Sequence, residues 1–192
     1  MTAFDNNDRM EYSALMTGGR DASHTGQVCW IASGIAAAVL LSWGLAAKSA
    51  ALMLPVVLVV VYGFYANLRA RFQARLVAGY VEEYCEGPDG PQWFTRLRSM
   101  RGQPGFSLAH DWIAAILANA VVLAAVVFGW MYGPGAARGE LMAGIVTGCA
   151  IVFGFHSLSE TLRLHTTDFA ASWRRASGEL QVEKRPARVA VR

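Results

Sequence analysis

Four histidines occur in the chain, and three of them lie near carboxylates. His110 is followed directly by Asp111. His156 and Glu160 are four residues apart, a spacing that puts both on one face of a helix. His165 and Asp168 follow on what reads as the same helix. Imidazole nitrogens and carboxylate oxygens ligate divalent metals, and histidine also exchanges protons near neutral pH. His110, Asp111, His156 and Glu160 are therefore the candidate residues for a metal or proton-relay site. The plainer reading is that polar residues at the ends of apolar helices cap those helices and meet lipid headgroups.

Other chemistry is sparse. Asn119 is the one strongly polar side chain in the inner part of an apolar stretch, seven residues beyond Trp112. At 1.5 Å per residue that is about 10 Å along a helix. An amide at that depth bonds a neighbouring helix or lines a pore. Cys29, Cys85 and Cys149 show no CxxC or Cys/His spacing, and their odd number argues against a disulfide framework. The chain contains no GxxxxGK[ST], GxGxxG, HExxH or GxSxG pattern. We expect no enzyme activity and no cofactor.

The elements that carry these residues are set by the distribution of charge. Charged residues make up 16% of the 192, against roughly 25% in a soluble domain. Four stretches hold no Asp, Glu, Lys or Arg: Val28–Ala47, Ser49–Leu68, Trp112–Ala137 and Leu141–Ser159. Each comes close to the about 20 apolar residues that a helix needs to cross a bilayer. The 27 residues ahead of the first run include Asp5, Asp8, Glu11 and Asp21 but only Arg9 and Arg20. That is unlike the short basic start of a secretory signal, so the first run reads as an uncleaved helix. The expected fold is all-α: a polytopic membrane protein with four transmembrane helices in two antiparallel hairpins, carrying cytoplasmic helical extensions.

Fifteen of the 17 basic residues fall in the N-terminal, central and C-terminal segments. Lys48 and Arg138 alone mark the two short turns between paired spans. The positive-inside rule then places both termini in the cytoplasm of a bacterial inner membrane, the Ala/Arg/Gly-rich composition fitting a bacterial source. The net charge of +3 reflects topology and attraction to lipid, and nucleic acid is not an expected partner.

The segments divide as residues 1–27, a lead interrupted at Gly18–Gly19; 28–68, the first hairpin; 69–107, a cytoplasmic helical segment; 108–159, the second hairpin; and 160–192, a helix and basic tail. Pro55 lies early enough in span two to bend it. Tyr65, Leu68, Phe72, Leu76, Tyr80 and Tyr84 recur at helical steps, so span two should continue beyond the membrane until Gly87–Pro91. Trp93, Phe94, Arg96, Arg98 and Arg101 compose a short basic amphipathic stretch suited to a membrane interface or to packing on another helix. Gly144 and Gly148 on span four, and Gly34 and Ala38 on span one, are small residues four apart that permit close helix approach, within one chain or between copies. The layout resembles that of small bacterial multi-pass proteins, a likeness that implies no residue roles.

Roughly half of the chain falls in the segments assigned to the cytoplasm and is helix-patterned, whereas the other side holds only short turns. The first functional expectation is therefore a non-enzymatic membrane anchor, scaffold or subunit that binds a cytoplasmic partner. An alternative is an oligomeric channel or membrane-permeabilising effector gated from that side. A metal or proton-relay protein is a second alternative. The lipid bilayer is the common partner of all three, with a homo-oligomer or a membrane complex next.

Overall fold

The structure, a computed structural model, describes the backbone of residues 6–85, 109–133, 135 and 137–183. The basic amphipathic stretch with Trp93, Phe94, Arg96, Arg98 and Arg101 lies outside the described residues, as does Gly87–Pro91. The described elements are helical, with no strand among them: α1 (Asn6–Ala46), a 3-10 turn (Ala50–Leu52), α2 (Met53–Tyr80), a π turn (Val81–Cys85), α3 (Ala109–Tyr132), α4 (Ala137–Thr166) and α5 (Phe169–Glu183). Four of these segments are long and apolar enough to cross a membrane, which fits a multi-pass membrane protein. Contacts divide the chain into two compact units. The spanning unit comprises Asp21–Phe72 and Ser107–Thr166; the appended unit draws on Met1–Arg20, Gln73–Phe106 and Thr167–Arg192.

In the spanning unit, the α1–α2 hairpin is closed by a Schellman motif. Ser49 N–H donates to Gly44 O at 3.0 Å and Lys48 N–H to Leu45 O at 3.2 Å, which satisfies carbonyls left open at the end of α1. The residue at the turn must be left-handed, and Lys48 takes that role with φ of 49°. Pro55 lies at the start of a helix and not within one. It is the third residue of α2, where its missing N–H falls among groups that have no helical partner anyway.

The interior is packed from all four helices: Ala37 on α1, Met53, Val57 and Phe64 on α2, Ala118 and Val122 on α3, and Val146 and Phe153 on α4 are buried. Phe64 is the hub of an edge-to-face ring cluster, 6.4 Å from Trp30 and 5.5 Å from Phe153 between centroids. The helices α1 and α2 approach closely at two places that the small-residue spacing did not single out. A Cβ on Gly63 would collide with Ser33, and one on Gly26 with Ala70. Gly34, Gly144 and Gly148, by contrast, have no atom within 4 Å of the position a Cβ would take. The outer surface is apolar: Val28, Ile31, Ile35, Val39 and Trp43 form an exposed stripe along α1. Such a surface needs a lipid or protein covering.

In the appended unit, α1 runs straight through Gly18–Gly19 where the sequence pattern expected an interruption. Two glycines cost about 1 kcal/mol each in a helix interior. An established helix propagates through that cost, and Gly19 makes the surface that Val77 approaches to 3.6 Å of a would-be Cβ. A second departure lies after span four. The chain leaves helix at Thr167–Asp168, and α5 begins afresh. Asp168 is its N-cap: Ala171 N–H donates to Asp168 Oδ1 at 3.0 Å. Asp168 and His165 thus belong to different elements.

The end of α2 and α5 meet through aromatic rings with polar tips. Trp173 Nε1 donates to Leu76 O at 3.0 Å, and its ring stands edge-on to Tyr80 at 5.2 Å. Tyr80 Oη donates to Glu11 Oε1 at 3.0 Å, and Tyr84 Oη bonds Ser177 Oγ. Arg174 pairs with Glu83 at 3.3 Å. The π turn inserts one residue into the helical phase, and Val81 within it is fully buried.

Candidate functional site

Helices that pack on one another in an apolar setting turn their polar side chains inward, where they must find partners. On α4, Gly154, Ser157, Thr161 and His165 recur at three- and four-residue steps; Ser157 and Thr161 are fully buried. On α3, Asp111, Ala115 and Asn119 share one face, and on α2, Phe64, Asn67 and Arg71 do. These faces meet.

Deepest is Asn119. Its Nδ2 donates to Ala115 O at 2.8 Å on its own helix and to Ser157 Oγ at 3.0 Å on α4. Ser157 Oγ in turn donates to Gly154 O at 3.1 Å. The amide therefore ties α3 to α4. One turn further along α4, Thr161 Oγ1 is buried with no hydrogen-bond partner among the described residues.

The seam ends in a charged cluster. Asp111 carries Arg71 on one carboxylate oxygen, as an ion pair from Nη1, and His165 on the other, with Nε2 at 3.5 Å. Arg71 also donates from Nε to Asn67 Oδ1 at 3.3 Å. The His165 ring stacks on Trp112, with centroids 6.0 Å apart and planes 7° from parallel. Asp111 and His165 side chains are each 10% exposed. Local electrostatics suits both: Asp111 stands in the first turn of α3, the positive end, and His165 in the last turn of α4, the negative end. A carboxylate between a guanidinium and an imidazole is a structural clasp joining α2, α3 and α4.

The four residues read from sequence as a metal or relay site are distributed as follows. Asp111 is in the clasp. His110 lies in the first turn of α3, and its side chain is outside the described residues. His156 packs against the Tyr65 ring at 5.5 Å, and Glu160 pairs with Arg163 at 3.6 Å. His156 and Glu160 line one groove of about 380 Å3 together with Tyr65, Leu68, Arg69, Phe72 and Arg163. Among the described residues no three His, Cys, Asp or Glu side chains converge in a way that could hold a metal.

Arg71 as the partner of Asp111, Asn67 as the acceptor for Arg71 and Trp112 as the ring stacked on His165 were not singled out by sequence. The signal was available in part: Arg71 follows Phe64 by seven residues, so it continues the buried face of α2, and a cation there needs a counter-charge. That Asp111 and not Glu160 supplies it depends on the rotation of α3 and α4, which no spacing encodes. Comparisons with known protein families, with curated proteins and with solved structures find no match to this chain.

Proposed function

We propose that this protein is a non-enzymatic membrane anchor or scaffold. Its four spans hold a helical module that engages a partner on one face of the membrane. The observation that carries the reading is the appended unit: the segments flanking the spans form a compact unit of their own. An anchor alone has no need of that unit. Its joints are specific, with Trp173 bonded to a backbone carbonyl and Tyr80 to Glu11. The excess of Lys and Arg in the same segments supports a cytoplasmic face, and the Ala/Arg/Gly-rich composition is in keeping with a bacterial inner membrane.

The test is crosslinking of the tagged full-length protein in intact membranes, followed by purification and mass spectrometry. The reading expects one recurring companion, lost when residues 169–192 are removed while the spans still insert. Recovery of the chain alone, neither self-associated nor partnered, rejects it.

A second reading, an oligomeric channel, is supported by the open space around Gly34, Gly144 and Gly148. These faces permit close approach of another copy. A single copy has its interior filled by Met53, Val57, Phe64, Val122 and Phe153, so any pore would lie between copies. Ion flux from proteoliposomes that is no greater than from empty ones, over a range of pH and divalent ions, rejects this reading.

A further inference from the structure

The groove on the spanning unit between α2 and α4 combines an apolar wall with two arginines. Leu68, Phe72 and Tyr65 make the wall; Arg69 and Arg163 stand at it, with His156 and Glu160. Its position follows from the sequence. Arg69 is the first charge after the run Ser49–Leu68, and Glu160 and Arg163 are the first charges after Leu141–Ser159. The groove therefore sits where two charge-free runs end side by side, the level at which a bilayer changes from acyl chain to headgroup.

Arg69 is exposed and has no ion pair among the described residues. Arg163 shares its charge with Glu160 at 3.6 Å and remains 65% exposed. The lining carries two arginines against one carboxylate. A guanidinium fork matches a phosphate bidentately, and the low polarity beside it strengthens the pairing. The volume, about 380 Å3, is within the range of small-ligand sites, roughly 300–1,000 Å3. The same two helices expose Leu58, Phe155, Leu158 and Leu162, which supply apolar surface for a chain running away from the groove.

We infer that this groove binds the headgroup of an anionic phospholipid, with the phosphate on Arg69 and Arg163 and an acyl chain against Leu68 and Phe72. Charge complementarity selects an anion, and the apolar wall at the end of two membrane-length runs selects a lipid over a soluble phosphate.

The intact protein, stripped of lipid in detergent, is titrated with phosphatidylglycerol and with phosphatidylcholine, and binding is read by native mass spectrometry. The expected result is one phosphatidylglycerol per chain held about 25-fold more tightly than phosphatidylcholine, with each arginine contributing roughly fivefold. Arg69→Gln with Arg163→Gln removes the preference, and Arg69→Lys with Arg163→Lys, which keeps the charge and loses the fork, retains part of it. Arg138→Gln, in the turn before α4, leaves it unchanged. Glu160→Gln tightens binding, since it removes the competing anion; a misfolded variant cannot produce that gain. Equal binding of the two lipids, or a preference that survives the double Gln substitution, overturns the inference. So does inorganic phosphate that displaces the lipid at millimolar concentration, because it would identify the site as one for a soluble anion.

Discussion

The spanning and appended units are both made of long helices, yet they are joined by different chemistry. In the spanning unit, helices meet where side chains are smallest: Gly63 against Ser33 and Gly26 against Ala70. The apolar residues point both inward and outward, with Phe64 buried and Ile31 and Phe155 exposed. Polar groups are drawn inside, as in the Asn119–Ser157 bond and the Arg71–Asp111–His165 clasp. In the appended unit, large amphipathic rings make the joints, and their polar tips reach backbone or surface groups: Trp173 to Leu76 O, Tyr80 to Glu11 and Tyr84 to Ser177. The difference is what solvent teaches. Where the surroundings are as apolar as the interior, burying a large side chain gains little, so close backbone approach and interhelical hydrogen bonds must provide the cohesion. Where the surroundings are water, burying a ring is itself favourable, and its polar tip needs only one partner.

The contrast can be broken most readily at the clasp. Asp111→Ala leaves the part-buried Arg71 cation without its carboxylate. We expect a loss of about 3–5 kcal/mol in a denaturation series followed by tryptophan fluorescence in mixed detergent. Asp111→Leu combined with Arg71→Met should recover most of that loss, since no charge is then stranded. A single variant as stable as the parent would show that the spanning unit does not depend on buried polar contacts.

Gly63→Ala comes next. The added methyl overlaps Ser33, so α1 and α2 must separate, at a cost of about 1–3 kcal/mol in the same assay. The equivalent change at Gly144, which has open space, should cost nothing in an isolated copy. A loss at Gly144 that grows with protein concentration would instead reveal a contact between copies.

Trp173→Phe sharpens the other side of the comparison. It retains most of the ring and removes the donor to Leu76 O, worth about 1 kcal/mol. Hydrogen exchange should rise in residues 169–177 and stay unchanged in 137–160. Uniform acceleration of both would mean that the two units do not open separately.

The smallest effect belongs to the hairpin turn. Lys48 holds φ of 49°, a conformation that costs a side-chain-bearing residue about 1 kcal/mol and costs glycine little. Lys48→Gly should therefore stabilise the α1–α2 hairpin by up to that amount in the denaturation assay. A destabilised variant would show that the lysine side chain does more there than occupy the turn.

The amino-acid sequence by itself determined the number of membrane-length helices and their return in hairpins. Four charge-free runs can only be buried in lipid or protein, and a turn as short as the one at Lys48 can only return the chain antiparallel. It also marked Asn119 as a residue in need of a partner. Tertiary structure decided what each polar residue met. Helical spacing defines a face but not the angle at which that face is presented, so spacing grouped Asp111 with His156 and Glu160, whereas the rotations of α2, α3 and α4 pair it with Arg71 and His165. The same holds for the small residues. Gly144 and Gly148 have the spacing of a packing motif, yet Gly63 and Gly26 make the close approaches, because which face of a helix turns inward depends on the packing of the other three. Continuity of α1 through Gly18–Gly19, and the fresh start of α5 at Asp168, were likewise settled by tertiary contact and capping, which outweigh a local propensity of about 1 kcal/mol.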